Sequence, residues 1–307
     1  MTDYRPEGAL IERNTNKARL KSLFSLKEAM ASGDILEARA LICDAGHSLI
    51  TDLNGIRGVI PREDCVIGLD SGKTKDIAII SRVNKAVCFK ITDFQADEKG
   101  KPYVVLSRKQ AQEECLENYI NKLSPGDIIP ARVTHLEPFG AFVDIGCGIS
   151  SLIPIDAISV SRISHPSDRF KVGQNIFGIV KEKDEFGRIC LSHKELLGSW
   201  EENASMFSAG QTVSGIVRSV EDYGIFVELT PNLAGLAEPK ENVRIGQQAS
   251  VYIKSLIPEK MKVKLIIVDA FDAAYQETDL FYFRTQGRMD NFRYSPSESR
   301  RVVETIF

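Results

Sequence analysis

Two aromatic pairs stand out as side chains able to do chemistry. Phe139-Gly-Ala-Phe142 returns 84 residues later as Tyr223-Gly-Ile-Phe226, with glycine at the same place. In a regular strand, residues three apart face opposite sides. A glycine between them allows a bulge or a delayed start of the strand, either of which brings both rings to one face. Two rings on an open wall form a platform on which unpaired bases stack, worth roughly 1–3 kcal/mol per base. Cations stand nearby in the chain: Arg132 and Arg188 for the first pair, Arg218 and Lys262 for the second. The alternative puts one ring of each pair in a core. The repeated glycine and the flanking cations favour a surface that holds single-stranded nucleic acid.

Other chemistries find less support. The histidines, His47, His135, His165 and His193, form no metal-ligand spacing. GLDSGKT (68–74) resembles a phosphate loop, but three residues separate its glycines where the motif needs four, and a strand-like DIAIISRV follows where a helix should begin. No nucleophile elbow or dinucleotide fingerprint occurs. No enzyme, metal or cofactor is expected. The cysteines, 43, 65, 88, 115, 147 and 190, are never closer than 22 residues, as in a reduced cytosolic chain.

The elements that must position these residues come from an internal repeat. A shift of 84 residues lays GDIIPARVTHLEPFGAFVDIGCGISSLIP (126–154) on GQTVSGIVRSVEDYGIFVELTPNLAGLAE (210–238), and a shift of 93 brings 32–61 into the same frame. Each unit is a series of short alternating or β-branched runs punctuated by Gly, Pro, Asp and Asn. Five such strands in so few residues fit a small Greek-key barrel of the OB type. The expected organisation is an N-terminal extension with a short helix (1–33), barrels at 34–109, 126–194 and 210–269, helical linkers at 110–125 and 195–209, and a C-terminal hairpin or tail at 270–307. Ser25 and Glu28 have capping-box spacing ahead of the first helix, which ends near Gly33. Ser107–Leu123 and Lys194–Phe207 carry helical apolar stripes. DLFYFRTQGRMDNFRYSPS (279–297) reads as two aromatic strands turning at Gln286-Gly287, with the last residues frayed.

The string VTHLEPFGAFVDIG, followed by SLIPI, SHPSDRFKVGQ and GRICLSHK, closely resembles the RNA-binding domain of the ribosomal protein S1 family; GIVRSVEDYGIFVEL with LAGLAE is a second match and the first unit a weak one. The resemblance implies a mainly β chain of three tandem five-stranded OB barrels joined by short helices. It further implies single-stranded RNA binding across the strand 2–3 face, without catalysis. The family's contact pattern falls on Phe139, Phe142, Asp184 and Arg188 in the second unit and on Tyr223, Phe226 and Lys262 in the third, where Pro258 replaces the carboxylate. Its histidine is replaced by Pro154 and Glu238, and the first unit has Gly46 and Leu49 at the aromatic positions, so that unit has lost the platform. It is expected to face a protein or a neighbouring repeat, as terminal repeats of the family do on the ribosome.

Charge decides how binding would work. The net is −3, from 39 basic and 42 acidic residues. The second unit holds 8 of each sign and the third 7 of each, while the linkers at 110–125 and 195–209 hold 1 basic against 3 acidic and 0 against 3. Affinity must therefore come from stacking and local cations summed over linked repeats, not from long-range attraction. Arg284, Arg288 and Arg293 stand among aromatics in the tail, which could extend this surface or dock on the third barrel. The expected partners are single-stranded mRNA and the 30S subunit through 34–109, in the cytoplasm, with no membrane or small-molecule substrate. The rival readings are a general RNA chaperone or RNA-decay accessory factor, and a protein-interaction scaffold with residual RNA binding.

Overall fold

The computed structural model describes residues 4–69, 71–72, 74–272 and 280–307. Asp70 and Lys73 of the GLDSGKT segment and Asp279 of the tail motif lie outside the described residues. The chain divides into two compact units. The first runs to Leu123 and takes in Pro130–Arg132 and Asp144–Ser150; the second comprises Ser124–Ile129, Val133–Val143 and Ser151–Phe307.

In each repeat, alternating side chains send one face inward and one outward, and the sheet closes on itself. The first barrel contains β1 (Leu36–Cys43), β2 (Leu49–Leu53), β3 (Ile56–Ile60), β4 (Ala86–Ala96) and β5 (Pro102–Ser107), in the order β1-β2-β3-β5-β4. Its strand pairs are antiparallel except β3–β5, which is parallel. The second barrel uses β6 (Ile128–Glu137), β7 (Gly140–Asp144), β8 (Ser150–Pro154), β9 (Asn175–Lys183) and β10 (Ile189–Ser192). The third uses β11 (Thr212–Glu221), β12 (Gly224–Thr230), β13 (Leu233–Ala237), β14 (Gln248–Ile257) and β15 (Lys262–Phe271). Both are closed with the same relative strand order, giving the mainly β, three-barrel OB architecture that the repeat implied.

Several connectors differ from expectation. Helix α1 (Asn14–Arg19) precedes α2 (Leu23–Ser32), whose cap is Ser22 in a reciprocal pair with Ser25, not Ser25 with Glu28; Gly33, at φ 68°, ends it. DIAIISRV holds a single helical turn, α3 (Ile77–Ile80), in place of the expected strand, and its Ile79 is buried in the barrel core. Helix α4 (Arg108–Asn118), capped by Ser107, gives way to one tight turn at Ile120–Lys122. The helix expected over 194–207 is broken at Gly198, where φ is +85° and a side chain would meet the Phe283 ring at 2.5 Å. A turn at Lys194–Leu197 precedes the break, and α5 (Trp200–Ala204) follows it under a Ser199/Glu202 capping box. The tail bends at Gln286-Gly287, where Gly287 has φ 89°, but no strand hairpin forms there. Instead β16 (Asn291–Arg293) pairs with β17 (Glu304–Ile306), so the residues expected to fray are hydrogen-bonded.

Buried carboxylates fasten the N-terminal segment within the first unit. Glu7 forms a two-point ion pair with Arg108 (2.6 and 3.1 Å), receives the Cys88 N–H (3.1 Å), and donates its own N–H to Asp144 (2.7 Å). Burial works to raise the Glu7 carboxyl, but the Arg108 guanidinium overcomes it and holds the group below the ordinary range. Glu37 Oε2 accepts from the amides of Gly8 (3.1 Å), Leu10 (2.9 Å) and Ile11 (3.0 Å), while its buried Oε1 has no partner among the described residues. Burial pushes the Glu37 carboxyl up from 4.5 to about 7; the three amides oppose the shift and the Glu7 charge adds to it. A raised carboxyl contributes stability that is complete below its unfolded value and is lost as pH rises through its folded value, here from 4.5 through about 7. The Glu37 contribution to thermal stability should therefore be lost between about pH 4.5 and 7, and Glu37→Gln should reduce that fall by an amount on the order of 3 kcal/mol. Equal pH slopes for wild type and Glu37→Gln would refute the assignment.

Candidate nucleic-acid interface

The aromatic pairs are built by a close approach of two strands. Phe139 lies in the turn before β7 and Phe142 within β7, so the rings converge through a delayed start of the strand. The Cβ that Gly140 lacks would stand 2.5 Å from the Ile153 carbonyl oxygen. At Gly224, where φ is +156°, it would stand 2.6 Å from the carbonyl oxygen of Ala237. Any larger residue would force β7 from β8, or β12 from β13. The result is one motif made twice. Phe139 and Phe142 meet edge to face at 5.9 Å and 89°, and Tyr223 and Phe226 at 6.2 Å and 85°. Phe139 is 56% exposed and Tyr223 68%, with Phe142 and Phe226 half-buried beneath them. An exposed ring beside a half-buried one leaves π-faces available to a base.

Register places the cations. In the third barrel, Ser219, Phe226, Leu236 and Lys264 lie opposite one another in successive strands and form one outward row. Lys262 is exposed two residues from Lys264, on the same face by strand alternation. In the second barrel Cys190 lies opposite Leu152, so Arg188 takes the place of Lys262. Arg188 is anchored by Asp184 (Nε to Oδ2, 2.7 Å). The other two expected cations are engaged elsewhere. The Arg132 guanidinium lies against Gly8, 3.2 Å from where a Cβ would stand. Arg218 occupies a β-bulge between Val217 and Ser219 and binds Glu228 through two bonds of 2.8 and 3.2 Å. Of the expected site, Phe139, Phe142, Asp184, Arg188, Tyr223, Phe226 and Lys262 stand at the outer strands and hairpins, and Arg132 and Arg218 do not join them. Two residues passed over in the sequence do. Lys264 was legible from alternation with Lys262; His135, with its ring 6.4 Å from Phe142 and a 2.6 Å bond to Glu137, carried no motif.

The first barrel differs at this place. Its row is Ile42, Ile50, Val59 and Val105, aliphatic throughout. Leu49, expected at the position of Phe142, is fully buried, and Ile50 takes the outward place. The longer β1–β2 turn shifts the register by one residue, which exchanges inward and outward positions.

The S1 RNA binding domain model matches residues 122–194, the span of the second barrel. The chain thus carries an S1 RNA-binding domain at that place. It is 33% identical over 258 residues to a small ribosomal subunit protein bS1 of Leuconostoc lactis, covering 77% of this chain and 57% of the relative. The bS1 protein of Staphylococcus aureus (strain COL) is 28% identical over 277 residues, 85% of this chain and 68% of the relative. That of Staphylococcus haemolyticus (strain JCSC1435) is 30% identical over 80% of this chain and 64% of the relative. The chain thus spans 57–68% of the length of these relatives. A solved multidomain protein with nucleic acid binding domains from Streptococcus pneumoniae aligns over 80% of this chain at 15% identity with a TM-score of 0.25. The strand order, and not that alignment, establishes the fold.

Within the second unit, residues 151–194 of the S1 domain are clamped to the third barrel, which explains the loss of Arg218. Arg169 of the S1 domain binds Glu228 of the third barrel and Ser159 (3.3 Å), so Glu228 is shared by two arginines. Burial pulls the Arg169 guanidinium down, with the Glu228 charge opposing and the Arg218 charge assisting. The buried Asn232 amide donates to Lys194 and Gly198 carbonyls (2.7 Å each) while its oxygen accepts from Val160 (3.0 Å). The tail closes the joint from outside. Tyr282 hydroxyl meets His193 Nε2 (3.0 Å), and Tyr294 hydroxyl donates to the Asn232 carbonyl (2.6 Å). Burial lowers His193 to about 4, so at neutral pH Nδ1 donates to the Ile158 carbonyl (2.7 Å) and Nε2 accepts from Tyr282. The tail arginines accordingly flank a docked strap, with Arg288 on Asp290 (3.2 Å) and Arg293 on Ser295 (3.4 Å). Glu228→Ala would strand the buried Arg169 guanidinium and leave the half-buried Arg218 with only Asp168 at 3.9 Å, and is expected to cost about 3–5 kcal/mol in denaturant unfolding. A loss below about 1 kcal/mol, the range of exposed pairs, would show that water screens this cluster.

Proposed function

We propose that this chain binds single-stranded RNA on the outer strand 2–3 walls of its second and third barrels, and acts in translation as a non-catalytic S1-type factor on the small ribosomal subunit. The observation that carries the reading is the duplicated ring pair, exposed and edge to face in both barrels with the same glycine pressed on the same neighbour. A flat, stackable ligand accounts for keeping such pairs at the surface twice over. The names of the bS1 relatives support the ribosomal setting, which in turn implies the cytoplasm. No described helix is long and apolar enough to cross a membrane.

The aliphatic row of the first barrel supports a division of labour. That wall offers apolar area and no ring for a base, so it suits protein contact. We assign to it the docking of residues 34–109 on the 30S particle, and leave RNA to the other two barrels.

A titration with a fluorescent oligouridylate of roughly 20 nucleotides tests the RNA reading. The Phe142→Ala/Phe226→Ala double variant should bind at least ~10-fold more weakly, as expected for the loss of roughly 1–3 kcal/mol per stacked base. With Arg188, Lys262 and Lys264 as the phosphate contacts, log K should fall against log salt with a slope of roughly −2. Equal binding by wild type and double variant defeats the platform. For the ribosomal setting, the full chain should co-sediment with 30S particles and Ile42→Asp should release it, with RNA affinity unchanged. Absence of wild type from the 30S fraction would favour a chaperone or decay factor that works off the ribosome.

A further inference from the structure

The hairpin between β9 and β10 presents an aromatic residue that neither the repeat pattern nor the S1 resemblance singles out. Phe186 is 75% exposed, and the Arg188 guanidinium lies over its ring at 5.4 Å from the centroid. Exposure of a phenylalanine to this degree has no folding benefit of its own, so the first question is whether the turn requires it.

The first barrel answers that question. Its β4–β5 turn, Asp97-Glu-Lys-Gly-Lys101, has the same plan as Asp184-Glu-Phe-Gly-Arg188. In one, Asp97 Oδ1 accepts the amides of Lys99 (2.9 Å) and Lys101 (2.8 Å); in the other, Asp184 Oδ1 accepts those of Phe186 (2.9 Å) and Arg188 (2.8 Å). The glycine donates to the Asp carbonyl in both (2.8 and 2.9 Å), and its φ is +75° in one and +77° in the other. Aspartate and glycine therefore make the turn, and the apex residue is free to vary: Lys99 in one barrel, Phe186 in the other. The third barrel has a different connection here, the turn Pro258–Lys260 followed by Met261, without an aromatic residue.

A ring that the backbone does not need is held at the tip of a hydrogen-bonded turn, on the hairpin that leads into β10, the strand paired to the wall already carrying two rings. Arg188 links the two, since it is anchored by Asp184 and reaches over Phe186 from the strand that continues the wall. The guanidinium occupies one side of the ring, where a cation–π contact contributes about 0.5–1 kcal/mol at an exposed site. The exposed remainder can take a base, and the same guanidinium can then meet the adjoining phosphate.

We propose that Phe186 is a third stacking residue for single-stranded RNA, so that the second barrel binds one nucleotide more than the third and sets where the strand is gripped most tightly. This rests on the RNA reading above. The test uses the full chain and oligouridylate of roughly 12 nucleotides, within the site size of an OB fold. Phe186→Ala should weaken binding about five- to tenfold with an unchanged thermal midpoint, because the turn is made by Asp184 and Gly187. Phe186→Leu, apolar but unable to stack, should be as weak as Phe186→Ala. Phe186→Trp should restore affinity and report the base directly through quenching of its fluorescence as RNA is added, against the buried Trp200 as a constant background. Wild-type affinity in Phe186→Ala, or wild-type affinity in Phe186→Leu, overturns the inference. Phe142→Ala in the same titration separates the two failures: if it weakens binding while Phe186→Ala does not, the wall binds RNA without the hairpin, whereas no effect of Phe142→Ala/Phe226→Ala removes the RNA reading itself.

Discussion

Gly140 and Gly224 touch the carbonyl oxygens of the strands beside them, and the surface chemistry of two barrels depends on that contact. Without a Cβ, each hairpin closes so tightly that a residue in the turn and another three positions on meet at about 6 Å instead of facing opposite sides. The barrel supplies the rest. Its closed strand order puts the ring-bearing strand next to the third strand and, through it, next to the fifth, which brings cations such as Lys264 into line with a ring. The same fold without the glycine motif yields the aliphatic wall of the first barrel.

A second constraint competes with the first for positive charge. Joining two barrels buries polar surface, and the solution adopted here places Glu228 between Arg169 and Arg218. A guanidinium so committed is lost to phosphate. The second and third barrels are neutral as wholes, but their charge is unevenly spent: buried against a carboxylate at the joint, and exposed on the outer strands and hairpin at Lys262, Lys264 and Arg188, the last beside Asp184. The net of −3 therefore says little about affinity for a polyanion. What counts is which of the arginines are buried against carboxylates, as Arg169 and Arg218 are, and that follows from tertiary contacts.

That division also marks what could be read from the chain. The three barrels and the ring pairs were legible because they are local: strand alternation, turn residues and a four-residue motif repeated at a fixed spacing. Asp184 with Arg188 was legible because a single turn brings them together. Arg218 was not, since its partner Glu228 sits across the ladder and a β-bulge turns the side chain toward it. Leu49 was misplaced because a longer turn slipped the register by one, which no gapless comparison can show. Gly198 looked like part of a helix because Phe283, which needs the space, is 85 residues away in sequence. The tail's aromatic residues suggested strands of their own, whereas Tyr282 and Tyr294 are sockets for His193 and Asn232 in the barrels they bridge.

The strap has a consequence for how the molecule is made. His193 and the hydroxyl that completes its hydrogen bonding are separated by 89 residues. At roughly 5–20 residues per second, a nascent chain spends on the order of 5–20 s with the second barrel synthesised and that socket unfilled. Phe177 and Leu196, which pack beside Tyr282 in the finished unit, are then without the ring that covers them. During synthesis the joint that Glu228 and Asn232 make between the second and third barrels therefore stays open on one side until the strap arrives to cover it.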